Sequence, residues 1–126
     1  MAVTNFYNNT ILQVTLRSLP ISFQPMYLGL WLNSPGASGT GTEVSGIDYI
    51  RQYVQFSLPN GSYISTNEAL IDYGIAGGYW GIITNVALLD SIIGGNMLVY
   101  ETVTNVEVSA GDRVRFPIGN ITATIA

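Results

Sequence analysis

The stretch Ile82-Ile83-Thr84-Asn85-Val86-Ala87-Leu88-Leu89 is followed by Gly94-Gly95-Asn96 and then by Met97-Leu98-Val99-Tyr100-Glu101-Thr102-Val103. Two runs rich in β-branched and aromatic residues, separated by a glycine-bearing turn signal, read as strands paired across a tight turn. Toward the C-terminus, Val106 to Val108 and Val114 to Phe116 flank a second turn at Ala110-Gly111-Asp112. Ile121, Ala123 and Ile125 then alternate with Thr122 and Thr124, the period of a strand with one apolar face. Toward the N-terminus, Ala69 to Ile75 reads as a weaker strand, broken by Gly77-Gly78 before Trp80. Pro59-Asn60-Gly61 marks another turn, since Asn-Gly adopts positive φ at low cost.

Further upstream, Ile50 to Phe56 alternates, with Ile50, Val54 and Phe56 on one face and Arg51, Tyr53 and Gln55 on the other. Tyr27-Leu28-Gly29-Leu30-Trp31-Leu32 is apolar on both faces and reads as a central strand, with Trp31 in the core. Between the two lies a loop, Asn33 to Gly46, holding Pro35 and four glycines. Asn5 to Leu19 is the plausible helix, capped by Thr4 or Asn5 and stopped by Pro20. Its apolar residues fall in two groups, Tyr7, Ile11 and Val14, then Leu12, Leu16 and Leu19, so it is either buried or docked on a partner. The pattern therefore predicts a mostly β chain: a single-domain antiparallel β-sandwich or barrel over residues 1–126 with one N-terminal α-helix. The helix spans about 5–19 and the β-domain about 21–126.

A chain of 126 residues has room for one domain. It contains no cysteine, histidine or lysine, so disulfides, thiolate or imidazole metal sites and histidine-dependent catalysis are excluded. Its cations are Arg17, Arg51, Arg113 and Arg115, set against eight acids for a net charge of −4. Four scattered arginines make no basic footprint for nucleic acid. Charged residues make up 10% of the chain, against about 25% in ordinary soluble domains. Hydrophobic residues reach 48% and mean hydropathy is +0.33. So few charges point to a subunit whose surface is partly buried against neighbours. The longest apolar runs fall short of the ~20 residues that span a bilayer, and the start of the chain has no signal-peptide pattern, so neither membrane nor secretion is expected.

Candidate chemistry is sparse. Gly36-Ala37-Ser38-Gly39-Thr40-Gly41-Thr42 superficially resembles a phosphate loop, but it lacks the lysine and is followed by Glu43, so it reads as a flexible loop. Paired acids alone can hydrolyse glycosides, yet Asp90, Asp112 and the others adjoin turns, where aspartate bonds its own backbone. No catalytic residue, cofactor or metal ligand is expected. Aromatic residues allow a carbohydrate-binding module, which requires Tyr63, Tyr79 or Trp80 exposed on one face; a core plug at Trp80 is the alternative. Arg51, Arg113 and Arg115 project from alternating strands, and each can pair with an acid of a neighbouring strand or subunit.

Several motifs resemble those of small structural proteins of tailed bacteriophages. They are the strand Met26 to Pro35, the pattern Thr42-Glu43-x-x-Gly46-x-x-Tyr49-x-Arg51, and the run Trp80 to Asp90 continued by Gly94 to Tyr100. The close at Ala110-Gly111-Asp112 and the opening helix Asn5 to Leu12 match as well. The resemblance spans nearly the whole chain in order, though the loop from Asn33 to Thr42 is short and Arg17 to Pro20 replaces a glycine-rich turn. It implies a virion component of tail-fibre-like or head-decorating type, without enzymatic activity. The expected function is a capsid decoration or cement subunit, with a tail or baseplate component and a carbohydrate-binding module as alternatives. It would assemble in the host bacterial cytoplasm. Expected partners are copies of itself, in a trimer or other symmetric oligomer, and the major capsid protein or tail proteins of the same virion. The residues expected at interfaces are Tyr7, Ile11, Arg17, Glu43, Arg51, Tyr53, Tyr79, Trp80, Arg113 and Arg115, with the helix or the Gly36 to Gly46 loop gripping the shell or tube.

Overall fold

A computed structural model describes residues 1–17, 25–57 and 64–124, the side chains of Ile64, Ala123 and Thr124 excepted. The fold is mostly β, antiparallel, with one N-terminal helix. In chain order the elements are β1 (Ala2–Val3), α1 (Asn5–Arg17), β2 (Met26–Trp31), β3 (Gln52–Val54), β4 (Ile64–Thr66) and β5 (Ile71–Ile75). They continue with β6 (Gly81–Leu89), β7 (Met97–Val108), β8 (Arg113–Phe116) and β9 (Thr122–Thr124). A five-stranded sheet has the order β1-β7-β6-β2-β3, and two further pairs, β4-β9 and β5-β8, complete the strands.

The hairpin predicted around Gly94-Gly95-Asn96 is the long β6–β7 pair, with Leu88 opposite Val99 and Gly81 opposite Val108. Its turn requires positive φ at Gly94 and Gly95 (64° and 72°), where a side chain would be strained. β6 lies at the centre of the sheet, and its residues from Val86 to Leu89 are all buried, because both faces are covered. On one face Leu28, Leu30, Ile83, Val86 and Leu88 join Ile71, Tyr73 and Ile121 in the main core. On the other, Trp31, Ala87, Leu89 and Met97 form a second cluster. Trp31 is thus in the core, as its doubly apolar strand implies.

Part of that second face is covered by the loop after β2, and the loop is tied down rather than free. Thr40 O accepts the Trp31 indole N–H at 2.9 Å, Ala37 O accepts Asn5 N–H at 2.8 Å, and Asn33 Oδ1 accepts Thr42 N–H at 2.8 Å. Of the glycines in this loop, Gly41 and Gly46 are closely packed, whereas Gly36 and Gly39 supply positive φ (68° and 70°).

Two pairings differ from the sequence pattern. The turn at Ala110-Gly111-Asp112 is present, with Asp112 Oδ2 accepting Ser109 N–H, yet the strand after it pairs with β5 and not with β7. The alternation read from Ile50 also fails at its start: Arg51 is buried and Ile50 is 49% exposed, because strand pairing begins only at Gln52. Glu43 draws the guanidinium inward before the strand begins.

The helix begins where the sequence places it. Thr4 Oγ1 accepts Tyr7 N–H at 3.3 Å as an N-cap and donates to Met97 O at 2.6 Å, fastening α1 to β7. The expected stop at Pro20, the turn at Pro59-Asn60-Gly61, and the tail residue Ile125 lie outside the described residues. Ile121 is buried at the head of β9, as the terminal alternation requires.

Candidate assembly surfaces and the network behind them

The motif Thr42-Glu43-x-x-Gly46-x-x-Tyr49-x-Arg51 folds into one network. Arg51 meets Glu43 through two parallel bonds, Nε to Oε2 at 2.8 Å and Nη2 to Oε1 at 2.9 Å, a fork matched to a carboxylate. Tyr49 donates its hydroxyl to Glu43 Oε2 at 2.7 Å and accepts Leu30 N–H at 3.0 Å, so it links the pair to β2. Arg51 Nη1 then reaches the β6–β7 turn, donating to Ser91 O and Gly94 O, both at 2.8 Å. Its guanidinium carbon lies 5.9 Å from the Trp31 ring centroid, within cation–π range. Gly46 supplies room: a methyl there would overlap the ring of Trp80, whose indole N–H donates to Ile47 O at 2.9 Å.

Electrostatics follow from this enclosure. Burial opposes the charge of Arg51, but the hydrogen bonds and charge of Glu43 outweigh it and raise its pKa. Burial pushes the Tyr49 phenol up, against a smaller opposing effect of the Leu30 N–H, with Glu43 raising it further. Burial does the same to Tyr73, which donates to Leu28 O.

Both tyrosines therefore stay protonated in the folded chain while the unfolded chain ionises from about pH 10. A raised folded pKa leaves stability complete below that value and removes it as pH climbs beyond. The expected loss is about 1.4 kcal/mol per pH unit for each such tyrosine. Urea unfolding between pH 8 and 11.5 checks this, and Tyr49→Phe should flatten the slope; equal slopes for both proteins would refute the assignment.

The ten residues expected at interfaces do not form one surface. Tyr7, Ile11 and Arg17 lie on α1, with Ile11 and Arg17 exposed. Glu43 and Arg51 pair within the chain, the neighbouring-strand alternative rather than the neighbouring-subunit one, and Arg51 is only 8% exposed, which leaves little of it for an interface. Trp80 is a buried plug, 3% exposed and 5.5 Å centroid to centroid from Tyr49, which removes it from any interface and from a sugar platform. Its bulk fills the space that Gly46 leaves open. Tyr79 is exposed, with its hydroxyl 3.4 Å from Glu107 Oε2, and Tyr63 lies outside the described residues. Tyr53 is exposed and meets Tyr27 edge to face.

Arg113 and Arg115 project outward from β8. Arg113 pairs with Asp72 of β5 through Nη2 and Oδ2 at 2.6 Å, and Arg115 stands opposite Asp72 in register. The Arg113 guanidinium and the Gly74 N–H together hold the Asp72 carboxyl below the usual range.

The structure adds residues that the sequence reading passed over. Ile92 and Ile93 sit at the tip of the β6–β7 turn, and Ile93 is 80% exposed. Two isoleucines between a serine and a glycine pair were the available signal. Buried Asn67 is another: it donates to Ala69 O and Pro117 O and accepts Ile121 N–H, clasping the chain before β9.

On α1 no residue is buried, and Phe6, Ile11, Leu12 and Leu16 are all exposed. Apolar side chains on more than one side of α1 are thus left in water, and the comparison with known families gives them a context. The family model described as "Podophage GP4 fiber I protein gp80" matches residues 2–124. The chain belongs to that family. Members of the gp80 fibre I family are bacteriophage structural proteins, so this chain is a virion component associated with other virion components. Among curated proteins, none matches it. The motif around Glu43 and Arg51, which resembled phage structural proteins in the sequence, is accounted for in this gp80-family chain as the brace of the β6–β7 turn.

Proposed function

We propose that the chain is a non-enzymatic fibre subunit of a podophage virion. It docks on another virion protein through α1 and assembles with copies of itself through the β-fold. The observation that carries this reading is α1 itself. A 13-residue helix containing Asn8, Asn9, Thr10 and Thr15 is a marginal helix on its own, yet none of its residues is buried by the fold and Phe6, Ile11, Leu12 and Leu16 are exposed. Covering them is the natural source of its stability, and a stable contact of ordinary size removes about 1,600 Å² from water.

The fibre wording of the matching family favours a fibre placement over head decoration. The low charge of the chain suits either placement, and the partner is correspondingly a tail or neck protein or the major capsid protein. Assembly would take place in the host bacterial cytoplasm.

The test is quantitative mass spectrometry of purified virions, scaled against the major capsid protein. A copy number equal to a small multiple of one ring supports the fibre reading; a number near that of the capsid protein moves the subunit to the head. A double variant, Leu12→Asp with Leu16→Asp, probes the docking face. Both positions are more than half exposed, so the isolated variant should unfold within about 1 kcal/mol of the parent. Its incorporation into virions should fall at least tenfold. Undiminished incorporation would show that α1 is not the docking element.

A further inference from the structure

α1 is fastened to the rest of the fold at one end. Thr4, 1% exposed, precedes it: its N–H donates to Leu98 O at 2.9 Å and its hydroxyl to Met97 O at 2.6 Å. The first turn closes on this clasp. Asn5 N–H reaches Ala37 O at 2.8 Å, Tyr7 N–H reaches Thr4 Oγ1 at 3.3 Å, and Asn8 N–H reaches Thr4 O at 3.0 Å. Beyond Asn8, among the described residues, no hydrogen bond joins α1 to the sheet or to the loop after β2. The side-chain bond found there, from Thr10 Oγ1 to Phe6 O, stays within the helix. Tyr7, Thr10 and Val14 are half-buried, and the rest of α1 is exposed.

Local chemistry does little for the part beyond the clasp. An isolated helix shorter than about 12–15 residues is marginal in water even when rich in alanine. α1 has 13 residues and no alanine, and its good helix formers are Leu12, Gln13, Leu16 and Arg17. The Thr10 back-bond to Phe6 O weakens a helix slightly. Arg17 is the single charge of α1, so no i,i+4 ion pair runs along it, and its first turn holds no acid to complement the dipole. A segment with few buried contacts and exposed backbone bonds opens at little free-energy cost.

We infer that α1 is completed by docking. In the free subunit the clasped first turn persists, while residues from Ile11 onward exchange between helix and coil; the partner's surface then fixes them as helix. This deepens the docking part of the proposed function and rests on it. Leu12 and Leu16 are therefore not displayed as a preformed apolar ridge before assembly, which limits association of free subunits through them. Docking bears the cost of ordering the segment, so its strength depends on helix propensity as well as on contacts.

Amide exchange of the purified full-length chain tests the free state. The Asn8 amide should be protected, while those from Leu12 to Arg17 should exchange within about tenfold of unstructured-chain rates. In virions the same amides should be slow. Uniform protection along α1 in the free chain would overturn the inference, because the helix would then be preformed. Propensity supplies a second readout at two exposed positions, with Asn8→Ala and Thr15→Ala in one chain and Asn8→Gly and Thr15→Gly in another. Each site should change docking about fivefold, the equivalent of the ~1 kcal/mol between alanine and glycine in a helix interior. Supplied together, the alanine chain should outnumber the glycine chain in virions by about 25-fold, and equal incorporation would overturn coupled folding. The Leu12→Asp with Leu16→Asp chain separates the two readings. Its normal incorporation removes docking through α1; its exclusion, with alanine and glycine chains incorporated equally, removes coupled folding alone.

Discussion

Replacing Trp80 by alanine will destabilise the fold by about 3–5 kcal/mol, the cost typical of removing a large aromatic side chain from a core. Trp80 is 3% exposed, its indole N–H is satisfied by Ile47 O, and its ring stands against Tyr49 and over Gly46. The cavity left would lie between the Gly46 turn and the main core, and the backbone bond from Trp80 N–H to Val108 O limits collapse of the neighbouring strand. Ile47 O would also lose its donor. Urea unfolding of parent and variant measures the loss directly. A shift below 1 kcal/mol would mean that the plug is dispensable, and the account of Gly46 as its seat would fall with it. The same variant addresses the carbohydrate-binding alternative, in which Trp80 contacts a sugar and its loss would abolish glycan binding without unfolding the chain.

Arg51→Met is the second large effect, about 3 kcal/mol. Removing one partner of a buried ion pair typically costs 3–5 kcal/mol, because the other charge is left without compensation. The lower end applies because the Glu43 side chain is 27% exposed and water screens it. The substitution also strips donors from Ser91 O and Gly94 O. Two readouts follow: a lower unfolding midpoint, and faster amide exchange across residues 91–95 than in the parent. The double variant Arg51→Met with Glu43→Leu should recover part of the loss, since an apolar pair leaves no stranded charge. Unchanged exchange at the turn would show that Arg51 stabilises the subunit without organising its tip.

Where local chemistry decides the structure, the sequence was legible. The β6–β7 hairpin follows from two apolar runs and a glycine-rich turn, the helix start from the hydroxyl of Thr4, and the core position of Trp31 from a strand apolar on both sides. The motif around Glu43 and Arg51 was visible as a pattern, but its role was not. Alternation assigned Arg51 to the outward face, because periodicity assumes that a strand begins with its first apolar residue, Ile50. The fork from Glu43, eight residues earlier, reverses that assignment. The exposed apolar surface was legible only in part: the apolar positions of the helix were, whereas Ile92 and Ile93 were hidden within a turn, where exposure follows from backbone direction rather than residue type.

Residue types and their local order were enough for the β class, the main hairpin and the start of the helix, and composition alone for the shortage of charge. Each depends on residue types within a few positions of one another, or on composition alone. Long-range packing sets the rest: β8 pairs with β5, Arg51 holds the Ser91 turn 40 residues away, and Trp80 is enclosed. Those outcomes come from contacts between segments far apart in the chain, where the free energy of packing and ion pairing outweighs the local pattern.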